Sequence, residues 1–211
     1  MPKARLIRIA VALALGLVAA AGIAWWTLPR APEPQTAAGG PPVVGSDTVG
    51  GPYQLTAHTG ERVTDESWGG DWQLVYFGFT FCPDVCPTSL TDMTAAVDLL
   101  GETGEAVQPI LITIDPERDT VEQLADYVPL FHPRLVGLTG SEEEISAVAR
   151  EFRVYYQKVQ QDGADYYLMD HSSFTYLVSP DGQEVTIFPH GTPPESMAET
   201  IEARMAQAPG A

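Results

Sequence analysis

Cysteine is nearly absent: Cys82 and Cys86 are the only two in 211 residues. A bridge between them would close a loop too short to restrain the unfolded chain much, which argues against a plain stabilising cross-link. Basic residues are scarce too. Of 11 Lys and Arg, four lie at or before Arg30, whereas all 28 Asp and Glu lie after it. That acidity excludes nucleic acid as a partner, because phosphate binding needs the opposite sign. An acidic shell keeps a domain soluble and attracts cations. No internal repeat is evident, and the roughly 160 residues left once the ends are removed suffice for one domain with a proper core.

Ile9 to Trp26 is an uncharged, almost wholly apolar run. As a helix rising about 1.5 Å per residue it would extend about 27 Å, close to the roughly 30 Å hydrocarbon thickness of a bilayer. Lys3, Arg5 and Arg8 precede it and only Arg30 follows closely. The positive-inside rule then keeps the N-terminus in the cytoplasm and exports the rest. Ala19, Ala20 and Ala21 offer small residues for a signal-peptide cut. The apolar run continues past them into Trp25 and Trp26, which favours an uncleaved anchor over residues 9–28, with 1–8 cytoplasmic. Pro29 to Pro52 is rich in proline and glycine and nearly free of apolar periodicity, the composition of a tether. The linker is placed at residues 29–48 and the folded domain at 49–208.

The domain is organised around Leu74 to Leu90, which reads LVYFGFTFCPDVCPTSL. Apolar, β-branched and aromatic residues from Leu74 to Phe79 predict a strand buried on both faces. Leu90, Met93, Val97 and Leu100 then recur at helical spacing after Pro87, which puts Cys82 and Cys86 on the turn entering a helix. Helix-start amides favour thiolate over thiol, although Asp84 between the cysteines opposes this. Residues four apart on a helix hold their Cβ atoms roughly 5 to 6 Å apart, wider than the roughly 3.5 to 4.5 Å of a disulfide. One soft cation held by both sulfurs suits the spacing better: Cu(I), zinc or an iron–sulfur cluster.

Tyr53 to Val63, turning at Thr59 and Gly60, predicts a hairpin in which His58 is a solvated loop residue. Val107 to Ile114 predicts a second strand, parallel to the first because a helix joins them. The loop Asp115 to Thr120 then leaves at the sheet edge where the cysteines sit. Thr120 with Gln123 caps a helix through Phe131, and His132 marks its end. Leu135 to Leu138 is a short strand, followed by a helix capped by Ser141 and Glu144. Val154 to Val159, a turn at Gln161 to Ala164, and the stretch Tyr166 to Ser173 come next. Phe174 to Val178 and Glu184 to Phe188 form a hairpin. His190 lies in the loop before a last helix from Thr192 to Met205, for which Thr192 and Glu195 suggest a capping box.

This order resembles an elaborated thioredoxin fold: an α/β domain with a mixed sheet flanked by helices, here carrying an N-terminal hairpin. In that fold Phe174 to Val178 runs antiparallel to the central strand, so His171 returns to the end where the cysteines sit. That placement makes His171 the histidine ligand in preference to His58, His132 and His190.

The run from Phe77 to Pro87, with Asp115-Pro116-Glu117-Arg118-Asp119-Thr120 and Asp170-His171-Ser172, resembles the Sco/SenC family of membrane-anchored proteins that assemble the copper A centre of cytochrome c oxidase. The similarity covers roughly Val49 to Met205. It implies copper, as Cu(I) or Cu(II), held by Cys82, Cys86 and His171, with Asp170 as an orienting partner of the imidazole. It further implies an oxidase copper A subunit as recipient, a copper donor, and a thiol reductant outside the cytoplasm. The expected location is a bacterial-type inner membrane with the domain in the periplasm. Two rival roles share the motif: a thiol–disulfide reductase using Cys82 and Cys86, and a copper or redox sensor. A thiol peroxidase fits less well, because Phe79 stands where that chemistry needs threonine.

Overall fold

Trp72–Gly78 (β4) is buried at every position, as its uncharged apolar run dictates. The computed structural model describes residues 43–45 and 49–208, apart from 161, 162 and 164. The expected anchor at 9–28 lies outside the described residues, as does most of the linker. Among the described residues no helix is long and apolar enough to cross a membrane.

On one side β4 pairs in parallel with Val107–Thr113 (β5), in a register that sets Gly78 opposite Thr113, so both strands end at one edge. On the other it pairs antiparallel with Phe174–Val178 (β9). The helix Val85–Leu99 (α1) makes the connection between β4 and β5 and buries Leu90, Met93 and Val97 of the predicted stripe, with Leu100 buried at its C-cap and Ala96 buried beside them. Beyond β5, Val136–Thr139 (β6) continues the parallel order, and the hairpin Gln54–Ala57 (β2) and Arg62–Thr64 (β3) closes that flank. Past β9 lies Val185–Pro189 (β10), whose outer edge takes up Val43–Gly45 (β1). That three-residue strand falls inside the stretch read as linker. Its ladder partner in β10 supplies the hydrogen bonds that local composition cannot foretell.

Two short helices start at the caps their sequences predict. In Val121–Tyr127 (α2) the Thr120 hydroxyl accepts from the Gln123 amide, and in Glu142–Glu151 (α3) Ser141 and Glu144 form a reciprocal box. The last helix, Pro194–Met205 (α4), differs. Its cap is Pro193, and the Thr192 hydroxyl donates instead to the Pro189 carbonyl at 2.7 Å. Pro193 and Pro194 start the helix by fixing φ, one residue beyond where a threonine cap would. α4 packs against α1 and buries Met197, Ala198 and Ile201.

Tyr156–Gln160 (β7) and Tyr167–His171 (β8) form a separate antiparallel ribbon that pairs with no strand of the main sheet. Its register sets Tyr156 opposite His171. This excursion carries the histidine back to the cysteines just before the chain re-enters the sheet as β9.

Candidate metal centre

Cys82 lies half-buried in the turn after β4, and Cys86, the second residue of α1, is fully buried. The turn is tied down by the Cys82 amide donating to the Phe79 carbonyl at 3.3 Å. Both thiols are free. The Cys86 amide points at the Cys82 sulfur from 3.4 Å, as expected at a helix start.

His171 completes the cluster. Its Nε2 is 3.4 Å from the Cys86 sulfur, across 85 positions of sequence. Its Nδ1 lies 2.9 Å from the Ser172 carbonyl oxygen. A carbonyl can only accept, so Nδ1 donates to it and Nε2 is the ring nitrogen left facing the sulfur, the one available to a metal. The edges of Tyr76 and Phe79 pack on the ring at centroid separations of 6.2 and 5.9 Å. Metal–sulfur and metal–nitrogen bonds of about 2.3 and 2.0 Å set their donors about 3.5 Å apart at a tetrahedral angle. The Cys86–His171 spacing matches that separation. Among the described residues no three His, Cys, Asp or Glu side chains already form a metal cage. Cys86 and His171 are the closely spaced pair, and the half-buried Cys82 sulfur adjoins them, 3.4 Å from the Cys86 amide.

The thiols divide unequally. The Cys82 thiol is brought down to about 4, first by the hydrogen bond from Cys86, against the opposing effect of burial, with His171 and the amides of Asp84 and Cys86 contributing. Cys86 is pushed well up, by the bond it gives to Cys82 and by burial. The Asp84 side chain, expected to resist thiolate formation, is exposed, while its backbone amide supports the charge.

Asp170 does not orient the imidazole. Successive strand residues point to opposite faces, so next to His171 in β8 its side chain turns outward and is exposed. The Ser172 carbonyl holds Nδ1 instead, and a main-chain role leaves no residue-type signal. The other histidines serve elsewhere: His58 Nδ1 accepts from the Gly137 amide at 3.2 Å rather than standing free in solvent, His132 meets Asp98 at 3.3 Å, and His190 meets Ser89 at 2.9 Å.

A carboxylate that the spacing left open positions the cysteine turn. Asp119 is fully buried. It accepts from the Thr80 amide at 3.1 Å, the Thr80 hydroxyl at 2.6 Å and the Thr113 hydroxyl at 2.6 Å, joining the end of β4 to the loop after β5. Stranding a buried donor costs about 1 to 3 kcal/mol, so Asp119→Ala is expected to lose about 3 kcal/mol in a urea titration at pH 7, after some relaxation. Asp119→Asn keeps an acceptor and should lose less. Burial holds the Asp119 carboxyl above its ordinary range. The folded state thus binds this proton more readily than the unfolded chain, and the wild-type contribution falls as pH rises through the carboxylate range. The Asn variant should lack that slope.

A family model described as SCO1/SenC matches residues 43–206. The human mitochondrial SCO1 homologue is 46% identical over 164 residues, 77% of this chain and 54% of its own length. SCO1 homologue 1 of Arabidopsis thaliana is 44% identical over 167 residues, 79% of this chain and 50% of its own length. The chain thus spans about half the length of these curated relatives. Among solved structures, Arabidopsis thaliana ScoI with copper bound superposes at a TM-score of 0.71 with 44% identity, covering 76% of this chain and 99% of that one. Bradyrhizobium japonicum ScoI with copper bound gives 0.68 with 41% identity, covering 74% and 98%. BsSco, described as a member of the Sco family of cytochrome c oxidase assembly proteins and carrying a disulfide switch, gives 0.60 at 26% identity, covering 77% and 96%.

Proposed function

The chain belongs to the SCO1/SenC family, and from that premise we propose that it is an extracytoplasmic copper chaperone serving the copper A centre of cytochrome c oxidase. Copper is its cargo, taken by Cys82, Cys86 and His171. The observation that carries this reading is the 3.4 Å approach of His171 Nε2 to the Cys86 sulfur. Two thiolates suit the soft Cu(I) ion, and an imidazole extends the set to the harder Cu(II). Three ligands with an open side leave room for a recipient's ligands to enter before these let go. The segment 9–28 anchors the chain in the inner membrane, and the Pro/Gly-rich residues 29–42, ahead of β1, give the domain reach. The domain then faces the periplasm, where a separate reductant must keep both thiols reduced.

The low-lying Cys82 thiol favours a second reading, a thiol–disulfide reductase. There Cys82 attacks a disulfide of the oxidase subunit and Cys86 resolves the mixed disulfide. The subunit gains two electrons and two protons as Cys82 and Cys86 become a disulfide.

Mixing the copper-loaded chain with the metal-free, reduced copper A domain of an oxidase tests the choice. Delivery predicts that copper leaves this chain and the copper A absorption appears. If copper stays put while the reduced chain converts an oxidised copper A domain to its dithiol, the reductase reading takes its place.

A further inference from the structure

Arg118 lies between the two halves of the copper site without being a ligand. Its Nε pairs with Asp115, whose carboxylate is fully buried. Its Nη1 donates to the Tyr167 carbonyl at 3.0 Å. The centre of its guanidinium is 3.8 Å from the Tyr167 ring and 4.8 Å from the Phe81 ring. Phe81 adjoins Cys82, whereas Tyr167 begins the strand that ends in His171. Asp115 braces the same junction, accepting from the Tyr167 hydroxyl at 2.8 Å. Nη2 is buried with no hydrogen-bond partner, which leaves the aromatic faces to offset its desolvation.

The ribbon of β7 and β8 shares no backbone ladder with the main sheet. Side chains of the loop after β5 fasten it instead: Arg118 and Asp115 on Tyr167, and Glu117 on Lys158. The Glu117–Lys158 pair is solvent-exposed and contributes little. Arg118, stacked and forked, supplies the directional part of the attachment.

We propose that Arg118, braced by Asp115, is a positioning clamp that holds the His171 ribbon against the Cys82 turn and so sets how tightly copper is retained. The proposal rests on His171 being a copper ligand. A planar guanidinium stacks on one ring while donating to the adjacent carbonyl and the Asp115 carboxylate. The compact ammonium of lysine keeps the charge and cannot do all of this together.

The test uses the full-length chain loaded with copper, comparing Arg118→Lys, Tyr167→Phe and His171→Ala with the wild type. Copper loss to an excess of chelator is timed, and histidine nitrogen coupling is read in the electron paramagnetic resonance spectrum of the Cu(II) form. Arg118→Lys should keep stoichiometric copper and its sulfur-to-copper absorption, lose copper about tenfold faster, and show a weakened nitrogen coupling, as removal of a ligand's supporting partner does. Tyr167→Phe, which keeps the ring and the buried ion pair, should move the same way by less. Wild-type release and wild-type coupling in both variants would overturn the clamp alone. If Arg118→Lys shows no cooperative melt, Tyr167→Phe decides the question by the same two readouts. Unchanged copper retention in His171→Ala would instead overturn the ligand assignment.

Discussion

His171→Ala should lower copper affinity by at least about 100-fold while leaving dithiol exchange intact. Loss of a mere supporting partner costs a metal site about 10- to 100-fold, so loss of a donor atom sets a floor at the upper end. The imidazole is placed for this role by three independent restraints: its Nδ1 on the Ser172 carbonyl, its faces against Tyr76 and Phe79, and its Nε2 at Cys86. Both thiols survive in the variant, so reduction of a small disulfide substrate should continue. Competition against a chelator of known affinity measures the first effect, and thiol titration after disulfide challenge measures the second. Unchanged affinity would show that His171 is not a ligand.

Alkylation of the reduced, metal-free chain should show Cys82 reacting at a rate nearly independent of pH from about 5.5 to 8.5. An ordinary thiol, with its pKa near 8.5, accelerates over that span by about two to three orders of magnitude as thiolate accumulates. A thiol held at about 4 is already ionised throughout. Its intrinsic nucleophilicity falls with its pKa, so the absolute rate at pH 6 rises only modestly over an ordinary thiol; the flat profile is the diagnostic feature. The rate should drop as pH falls through 4, where the thiolate takes up its proton. Cys86, buried and pushed up, should resist alkylation over the whole range. Because the Cys86 hydrogen bond is the largest cause of the low value, Cys86→Ala should restore part of the slope. Mass spectrometry of the labelled peptides separates the two residues. A tenfold rise per pH unit for Cys82 in the wild type would refute the assignment.

Regular elements and chemical endpoints were legible in the sequence, and their side-chain fastenings were not. The uncharged run into Phe79 and the stripe Leu90, Met93, Val97 specify β4 and α1, since burial on both faces and helical spacing each leave a distinct pattern. A helix between two apolar strands implies the parallel β4–β5 pair, and an antiparallel β9 brings His171 home. By contrast, Val43–Gly45 is too short and too rich in neighbouring Pro and Gly to register as a strand. The β7–β8 ribbon has mostly half-buried and exposed positions and no clean alternation. The same limit hid Asp119 and Arg118. The loop 115–120 was placed beside the cysteines, yet which carboxylate faces Thr80 and which guanidinium slides between Phe81 and Tyr167 is set by packing across the sheet edge. The orienting role that the resemblance implies for Asp170 fails on strand alternation, which turns its side chain away from the imidazole of the next residue.

Titration of the reduced full-length chain with copper, followed by absorption and electron paramagnetic resonance, tests the central claim most directly. One equivalent should bind with a sulfur-to-copper charge-transfer band and, as Cu(II), with coupling to a single imidazole nitrogen. Tight stoichiometric zinc with only weak copper, or bound copper lacking the sulfur band, would contradict a site built from Cys82, Cys86 and His171.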